Sequence, residues 1–207
     1  MLTQARQRGV GLIEVMVVVI IMAIMLAVAA PNFSAWLAGA RIRATAESLV
    51  AGLQYAKSEA TTRNTRVRFQ LTSSLDASCK RDAGAASWVV DVVDADPDAD
   101  SVEDQCNAAP SDTVAPSILQ VRAATEAGGR VQVTADAAQI VFNGLGRQVP
   151  TGLAATAETI SIAITPAAGG SCSAAGGDVT CLNVVVSPAG QVRMCNPGVA
   201  ATDPQAC

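Results

Sequence analysis

The feature that most constrains this chain is an apolar run at residues 12–30. Its nineteen residues include one charged side chain, Glu14. As an α-helix the run spans about 28 Å, close to the hydrocarbon thickness of a bilayer. Arg6 and Arg8 precede the run, and basic flanks of this kind stay in the cytoplasm. The sequence therefore predicts either a retained single-pass anchor with an outward-facing chain or a cleaved secretory signal peptide.

The position of Glu14 bears on this choice. The small residues at 27–29 have the shape of a signal-peptide cleavage site. However, a carboxylate at the centre of an apolar layer costs about 2.5–3.5 kcal/mol, and such residues are kept for a function. The helical pattern also continues beyond residue 29. We therefore favour a retained anchor over a cleaved signal peptide.

A stripe of aliphatic and small residues extends the helical pattern past the apolar run. These residues recur at alternating spacings of four and three: Ile42, Ala46, Leu49, Leu53, Ala56 and Ala60. This periodicity is typical of one buried helix face. Pro31 is expected to bend or loosen the helix because it lacks an N–H and clashes with the preceding turn. Asn64 is the expected stop, so residues 10–63 would form a helix about 80 Å long.

The remainder of the chain has short β-like runs between Gly, Pro, Asp and Ser residues. The candidate strands are 65–71, 87–93, 117–123, 131–135, 138–142, 159–165, 182–187 and 191–195. Their frequency predicts an antiparallel sheet laid on the helical stripe, which is an α+β fold. Trp88 and Phe142 belong to a set of only six aromatic residues and are expected to anchor the core.

The composition excludes several kinds of catalytic and metal site. The chain has no histidine, which rules out a Ser-His-Asp triad, a Cys-His dyad and a histidine metal ligand. No sequence cluster offers a nucleophile with a base, and the glycines at 144 and 146 are too closely spaced for a phosphate-binding loop. We therefore expect no enzyme activity and no cofactor.

Residues 91–104 hold seven carboxylates in fourteen positions. Asp94, Asp96 and Asp98 have the 1-3-5 ligand spacing of an EF-hand calcium loop. Ala99 stands where that loop requires glycine, and the final glutamate is also missing. Two interpretations stay open here: a weak Ca²⁺ site on the three aspartates, or a solvated acidic loop without bound metal.

All six cysteines lie on the outward side of the apolar run, at Cys79, Cys106, Cys172, Cys181, Cys195 and Cys207. None has the C-x-x-C spacing of a zinc or redox motif. An even count in an oxidising compartment indicates disulfides, with free thiols as the alternative. Six cysteines allow fifteen pairings, and the sequence does not choose among them. Our working hypothesis pairs them sequentially, first with second, third with fourth and fifth with sixth.

The segment GVGLIEV at residues 9–15 resembles the type III signal of type IV pilins and type II secretion pseudopilins. The resemblance implies that a prepilin peptidase cleaves after Gly9 and methylates the new N-terminus, Val10. It matches Glu14 with the glutamate of the family's mature N-terminal segment and Pro31 with the family's helix-bending proline. Val10 departs mildly from the pattern, because phenylalanine is commonest at that position.

This resemblance gives Glu14 a role in assembly. A free amine and a carboxylate are each costly in a low-dielectric layer, and pairing them offsets both penalties. Glu14 of one subunit would therefore pair with the Val10 amine of a neighbour and make correct register a condition of assembly. The alternative is an isolated Glu14 that snorkels to the membrane interface.

The resemblance extends over most of the chain. Residues 46–60 resemble the corresponding helix of H-type minor pseudopilins and FimT/FimU-type minor pilins. WVVD at 88–91 and IVFNGLGR at 140–147 resemble two sheet motifs of that family. The implied partners are other minor and major pilins or pseudopilins, the prepilin peptidase and an inner-membrane assembly platform.

The same resemblance implies a division of the chain into four parts. These are a cleaved leader at 1–9, a transmembrane and filament-core helix at 10–31, an amphipathic periplasmic helix half at 32–64 and a β-rich periplasmic head at 65–207. The implied location is the inner membrane, with a single span and the head in the periplasm, or a filament that has incorporated the chain.

Three functions follow as hypotheses. The first is a FimT/FimU-like minor pilin that primes a type IV pilus near its tip, which the C-terminal segment at 186–195 modestly favours. The second is the minor pseudopilin H of a type II secretion pseudopilus. The third is DNA binding in natural transformation, for which the related Gly-Arg-x-Arg motif retains only Gly190 and Arg193 here.

Charge argues against the DNA-binding hypothesis. Loss of Arg6 and Arg8 with the leader leaves 12 basic against 18 acidic residues, a net charge of −6. Generic attraction to phosphate is not expected from such a chain. A second basic cluster at Arg63, Arg66 and Arg68 is expected to be a solvated face.

Overall fold

One long helix, α1, spans Leu12–Arg63 over 52 residues, which corresponds to about 78 Å. The computed structural model describes residues 11–93, 96–124, 130–152, 154–168 and 170–207, with the side chains of 28–32 left aside. The helical assignment continues through Pro31, and the bend expected there stays a prediction. Asn64 ends the helix in the left-handed conformation, with φ of 50°, and its N–H donates to the Ala60 carbonyl.

The described residues form nine strands in two antiparallel sheets. The strands are β1 (Arg66–Thr72), β2 (Ser87–Val93), β3 (Ile118–Arg122), β4 (Val131–Ala135), β5 (Gln139–Phe142), β6 (Gln148–Val149), β7 (Ile160–Pro166), β8 (Leu182–Val186) and β9 (Val192–Cys195). The first sheet has the order β3-β2-β1-β5-β6, and the second has the order β4-β7-β8-β9. A short 3-10 helix at Ser173–Ala175 precedes β8.

The expected α+β fold is confirmed, with two differences in the strands. Each of the eight candidate runs contains one strand, but β6 was not predicted because two residues show no periodicity. The prediction of one sheet is wrong. Only three residues separate β4 from β5, yet β4 pairs with β7 while β5 pairs with β1, and α1 contacts strands of both sheets.

The second half of α1 forms the centre of the hydrophobic core. All six residues of the predicted stripe are fully buried. At Gly52 the helix lies so close to the first sheet that a Cβ would be 2.8 Å from a ring carbon of Phe69. Trp88 packs against Phe69 with ring centroids 5.6 Å apart, and its Nε1–H donates to Ser48 Oγ at 3.1 Å. Trp88 and Phe142 are buried, as predicted.

The N-terminal part of α1, up to residue 27, is exposed. Every residue from 11 to 27 is solvent-accessible, and the large apolar side chains from Leu12 to Leu26 are 48–80% exposed. Within the part of the chain that is described, no helix meets the combined length and hydropathy expected of a membrane span.

All six cysteines form disulfides, in the sequential pairing given above. They are Cys79–Cys106, Cys172–Cys181 and Cys195–Cys207. The first has a further packing role, because its two half-cystines join Val89, Val102 and Ile118 in a second, smaller core on the outer face of the first sheet. Through Val102, this small core holds the described part of the acidic run, residues 96–104 (the acidic segment), against the sheet.

Candidate assembly interface

Glu14 is the acidic residue of the first turn of α1, and it is exposed. Its backbone N–H donates to the Gly11 carbonyl at 3.0 Å, which closes that turn. A carboxylate is favourable at this end of a helix because the N-terminal macrodipole is positive. The processing residues Gly9 and Val10 lie outside the described residues, so cleavage, methylation and the Glu14–Val10 ion pair stay predictions.

Most of the exposed large apolar side chains among the described residues lie on the first half of α1, from Leu12 to Leu26. Soluble monomers rarely expose contiguous apolar patches beyond a few hundred Å², and larger ones mark contacts with lipid or protein. The exposed helix is continuous with the helix that forms the core of the head. A partner that binds the exposed half is therefore connected to the head through one helix.

The head contains a buried ion pair that the sequence did not reveal. Arg68 on β1 and Asp91 on β2 are both fully buried and face each other across the sheet. Arg68 donates from Nε to Oδ1 of Asp91 at 3.1 Å and from Nη2 to Oδ2 at 2.7 Å, which is a bidentate pair. The Arg68 Nη1 also donates to the Ala99 carbonyl at 2.6 Å. The ion pair therefore connects the sheet to the acidic segment that covers it.

The prediction that the basic cluster of Arg63, Arg66 and Arg68 is a solvated face is wrong for Arg68. Arg63 behaves as expected of a helix end, since it contacts Glu59 at 2.7 Å and Asp112 at 3.0 Å near the surface. Arg68 is not part of a solvated face. The alternation of polar and apolar residues along β1 was the signal that could have found it, because Arg68 and Gln70 point away from α1 while Phe69 and Leu71 point towards it.

The acidic segment is held to the sheet by donors from the chain. Asp100 accepts from Gln70 Nε2 at 3.0 Å and from Arg81 Nε at 3.2 Å. Asp98 Oδ1 accepts from the Gly152 N–H at 2.7 Å. These hydrogen bonds attach the acidic segment to the rest of the head. The segment is therefore not simply a solvated loop.

Of the three aspartates in the calcium hypothesis, Asp94 lies outside the described residues. Asp96 Oδ1 accepts from the Asp98 N–H at 2.9 Å, which is a local turn. Among the described residues, no three acidic or thiol side chains are grouped so as to hold a metal ion. The calcium hypothesis therefore stays untested.

The two residues of the DNA-binding hypothesis have contacts within the head. Arg193 donates to the backbone carbonyls of Ala206 and Cys207 at 3.0 and 3.1 Å, which holds the C-terminal loop closed by Cys195–Cys207. Gly190 has φ of 77°, and a Cβ there would overlap the Gly146 carbonyl. The glycine is thus required by close backbone packing, and the arginine stabilises the loop.

Burial raises the pKa of Asp91 from its ordinary 3.8 to about 6, while the Arg68 guanidinium acts in the opposite direction. A carboxyl whose pKa is raised by folding stabilises the folded state most below its ordinary pKa, and this contribution is lost as the pH rises through about 6. We expect the free energy of unfolding, measured by urea titration from pH 4 to 7, to fall with pH more steeply in the wild type than in Asp91→Asn.

Asp112→Asn is a matched control, because the pH dependence that Asp112 contributes to stability has the opposite sign. The hydrogen bond from Arg63 lowers the pKa of Asp112, so its contribution is present at neutral pH and is lost on acidification. Identical pH profiles for the wild type and Asp91→Asn would contradict the raised pKa of Asp91.

Two family models match this chain. The model described as "Type II transport protein GspH" matches residues 45–190, and the model described as "Prokaryotic N-terminal methylation motif" matches residues 4–30. Together with the long helix on antiparallel sheets, these matches define a type IV pilin-like filament subunit. Because the first match covers well over half of the sequence, the chain belongs to the GspH family. Members of this family are structural pilin and pseudopilin subunits and not enzymes.

Three solved structures are similar to the chain. A crystal structure of the type IV minor pilin FimU from Pseudomonas aeruginosa strain PAO1 is 20% identical, with 80% of this chain and 94% of that chain covered and a TM-score of 0.47. A second crystal form of the same protein gives 20% identity, 80% and 98% coverage and a TM-score of 0.43. The solution structure of GspH from E. coli gives 19% identity, 81% and 95% coverage and a TM-score of 0.42. No curated protein matches the sequence.

Proposed function

We propose that this chain is a FimT/FimU-like minor pilin that assembles into a type IV pilus and primes it near the tip. The observation that carries the proposal is the first half of α1, where large apolar side chains 48–80% exposed flank a single acidic residue, Glu14, in the first turn. Such a surface fits a filament core built from packed helices. The head has its own hydrophobic core, which the second half of α1 completes.

Before assembly, the chain is anchored in the inner membrane by the apolar run at 12–30, and its head lies in the periplasm. The three disulfides support this orientation because disulfides persist in oxidising compartments. The prepilin peptidase cleaves after Gly9 and methylates Val10, in agreement with the methylation motif at residues 4–30. Other pilins and the assembly platform then receive the mature subunit.

The alternative is the minor pseudopilin H of a type II secretion pseudopilus, which the description of the matching family favours. Deletion of the gene separates the two functions. A minor pilin predicts loss of surface pili with normal secretion of exoproteins. A pseudopilin predicts the reverse, and that result would overturn the proposal in favour of the alternative.

Substitution of Glu14 by alanine is expected to leave membrane insertion intact and to impair incorporation into the filament. Loss of the Glu14 carboxylate leaves the Val10 amine of the neighbouring subunit unpaired in an apolar layer. We expect the fraction of the chain in sheared filaments to fall at least about tenfold, the change that 1.4 kcal/mol produces. Immunoblots of filament and membrane fractions measure both quantities.

Glu47→Ala is the matched control for this experiment. Glu47 is an exposed glutamate on the same helix, at the level of the head, and its removal should change neither fraction. Normal incorporation of the Glu14→Ala subunit would show that Glu14 has no role in assembly.

A further inference from the structure

A groove opens between α1 and the second sheet, where the helix enters the head. Its volume is about 610 Å³. On the helix side it is lined by Trp36, Gly39 and Ala40, and on the sheet side by Thr180 and Leu182. Leu182 is the first residue of β8. The groove is therefore formed by the helix on one side and the head on the other.

Gly39 lines this groove without a packing reason inside the chain. Apart from its own helix turns, no atom of the described residues lies within 4 Å of the position that a Cβ would take. Gly52 differs, because a Cβ there would be 2.8 Å from a ring carbon of Phe69. Glycine in a helix interior is less stable than alanine, and helices use small residues where another helix approaches closely. The empty space at Gly39 therefore fits a partner from outside the chain.

The groove carries charges of both signs. Among the described residues, the charged side chains that line it are Arg43 of α1 and Asp178 of the opposite wall. One charge of each sign gives no net attraction for a phosphate or for a highly charged peptide. Trp36 is 67% exposed, and tryptophan is enriched at protein interfaces. An apolar, uncharged protein segment therefore matches the groove best.

The wall opposite α1 is held in place by the chain itself. The Cys172–Cys181 disulfide closes the loop that carries Asp178 and Thr180. Val179, which lies between these two residues, is 1% exposed and belongs to the main core. A preformed surface of this kind loses little conformational freedom when a partner binds.

Helical periodicity places the groove on the same face of α1 as Glu14. Gly39 follows Glu14 by 25 residues, which is close to seven turns of 3.6 residues. Val18, Ile21 and Met25 lie on this face between them and are 48–67% exposed. A helix that packs along this face therefore leads into the groove, and the assembly surface of α1 continues into the head.

We propose that the groove receives the apolar N-terminal half of α1 from an adjacent pilin-like subunit. In this chain that half has no charged residue between 15 and 30, which agrees with the absence of a net charge in the groove. Gly39 allows the two helix backbones to approach closely, and Trp36 packs against the side of the incoming helix. This inference rests on the filament assembly proposed above and adds the part of the head that contacts the neighbouring helix.

Gly39→Leu separates a role in assembly from a role in stability. Leucine is the better helix former, so the thermal midpoint of the purified full chain in detergent should rise by about 2–4 °C. The same side chain fills the groove, and overpacking of a close contact is costly. We expect the fraction of the chain in sheared filaments to fall by about tenfold or more. Immunoblots of filament and membrane fractions measure this fraction.

Ala51→Leu is the matched control, because Ala51 is an exposed residue of the same helix that does not line the groove. Its incorporation should equal that of the wild type. Normal incorporation of Gly39→Leu would overturn the groove and leave the proposed assembly intact. Absence of the wild type from filaments would contradict the assembly itself, so the two proposals fail separately.

A photoreactive benzoylphenylalanine in place of Ala40 identifies the occupant of the groove. Ala40 is exposed and lines the groove, so the reactive group would lie inside it. In assembled filaments we expect crosslinks to peptides from the apolar N-terminal helix of an adjacent subunit, read by mass spectrometry. Crosslinks to head peptides alone, or no crosslink at all, would overturn the assignment.

Discussion

Replacement of Arg68 by methionine is expected to lower the free energy of unfolding of the head by about 3–5 kcal/mol. The loss is large because Asp91, which is fully buried, would be left without its bidentate partner, whether it stays charged or takes up a proton. The Arg68 contact with the Ala99 carbonyl would also disappear, so the acidic segment would lose one of its attachments to the sheet. Urea unfolding at pH 7.5, followed by the fluorescence of the buried Trp88, measures the loss.

Two further measurements show whether the lost stability comes from the broken ion pair or from the loss of packing around residue 68. Combining Arg68→Met with Asp91→Leu should recover most of the stability, since an apolar pair of similar volume often replaces a buried ion pair at little cost. The loss in Arg68→Met alone should be smaller at pH 5, where Asp91 can take up a proton, than at pH 7.5. Equal losses in the single and double variants at both pH values would contradict the proposed importance of the pair.

Removal of the Cys79–Cys106 disulfide by serine substitution is expected to destabilise the head by about 3–4 kcal/mol. The disulfide joins residues 27 apart in sequence, and closing a loop of that length restricts the unfolded chain by about this amount. The change should also be local. The small core around Val102 and Ile118 would loosen, and amide hydrogen exchange should increase in the acidic segment and in β2.

The Cys195–Cys207 disulfide provides the comparison. It joins residues 12 apart, for which the same relation gives about 3 kcal/mol. Its removal should increase exchange in the C-terminal loop and leave β2 unchanged. An exchange pattern that is the same for both variants would contradict the separate role assigned to the first disulfide.

The helix and most strands could be predicted from sequence because they depend on local periodicity. The stripe from Ile42 to Ala60 repeats at helical spacing, and all of its residues are buried. The division into two sheets could not be predicted, because β4 and β5 are neighbours in sequence but pair with distant strands. Strand partners are set by packing around α1, which the pattern of a single strand does not contain.

The buried ion pair could not be predicted from the sequence, for a different reason. Arg68 and Asp91 belong to strands predicted with nearly correct bounds, yet Arg68 was expected on a solvated face and Asp91 was counted with the acidic run at 91–104. Charged residues are almost never fully buried unless they are paired. Residue type alone therefore predicts a surface position for both Arg68 and Asp91. Pairing became visible only when the register of β1 and β2 placed Arg68 opposite Asp91. The acidic segment, through Ala99 and Asp100, then covers the pair.

Glu14, the proposed assembly residue, could be singled out from the sequence alone. Glu14 and the motif around it were identified from sequence, because one carboxylate in a long apolar run is unusual and costly. The structure adds that the large apolar side chains around Glu14 are exposed and that their helix continues into the head. Under the proposed function, this continuity lets one helix serve first as membrane anchor and then as filament core.

The position of the subunit in the filament tests the central claim most directly. Filaments sheared from cells that carry an epitope on the C-terminal loop, which is exposed at residues 200–205, can be labelled with gold-conjugated antibody and viewed by electron microscopy. A priming minor subunit predicts label at one end of each filament and few filaments in cells that lack the chain. Label distributed along the filament, or a normal number of filaments without the chain, would contradict this account.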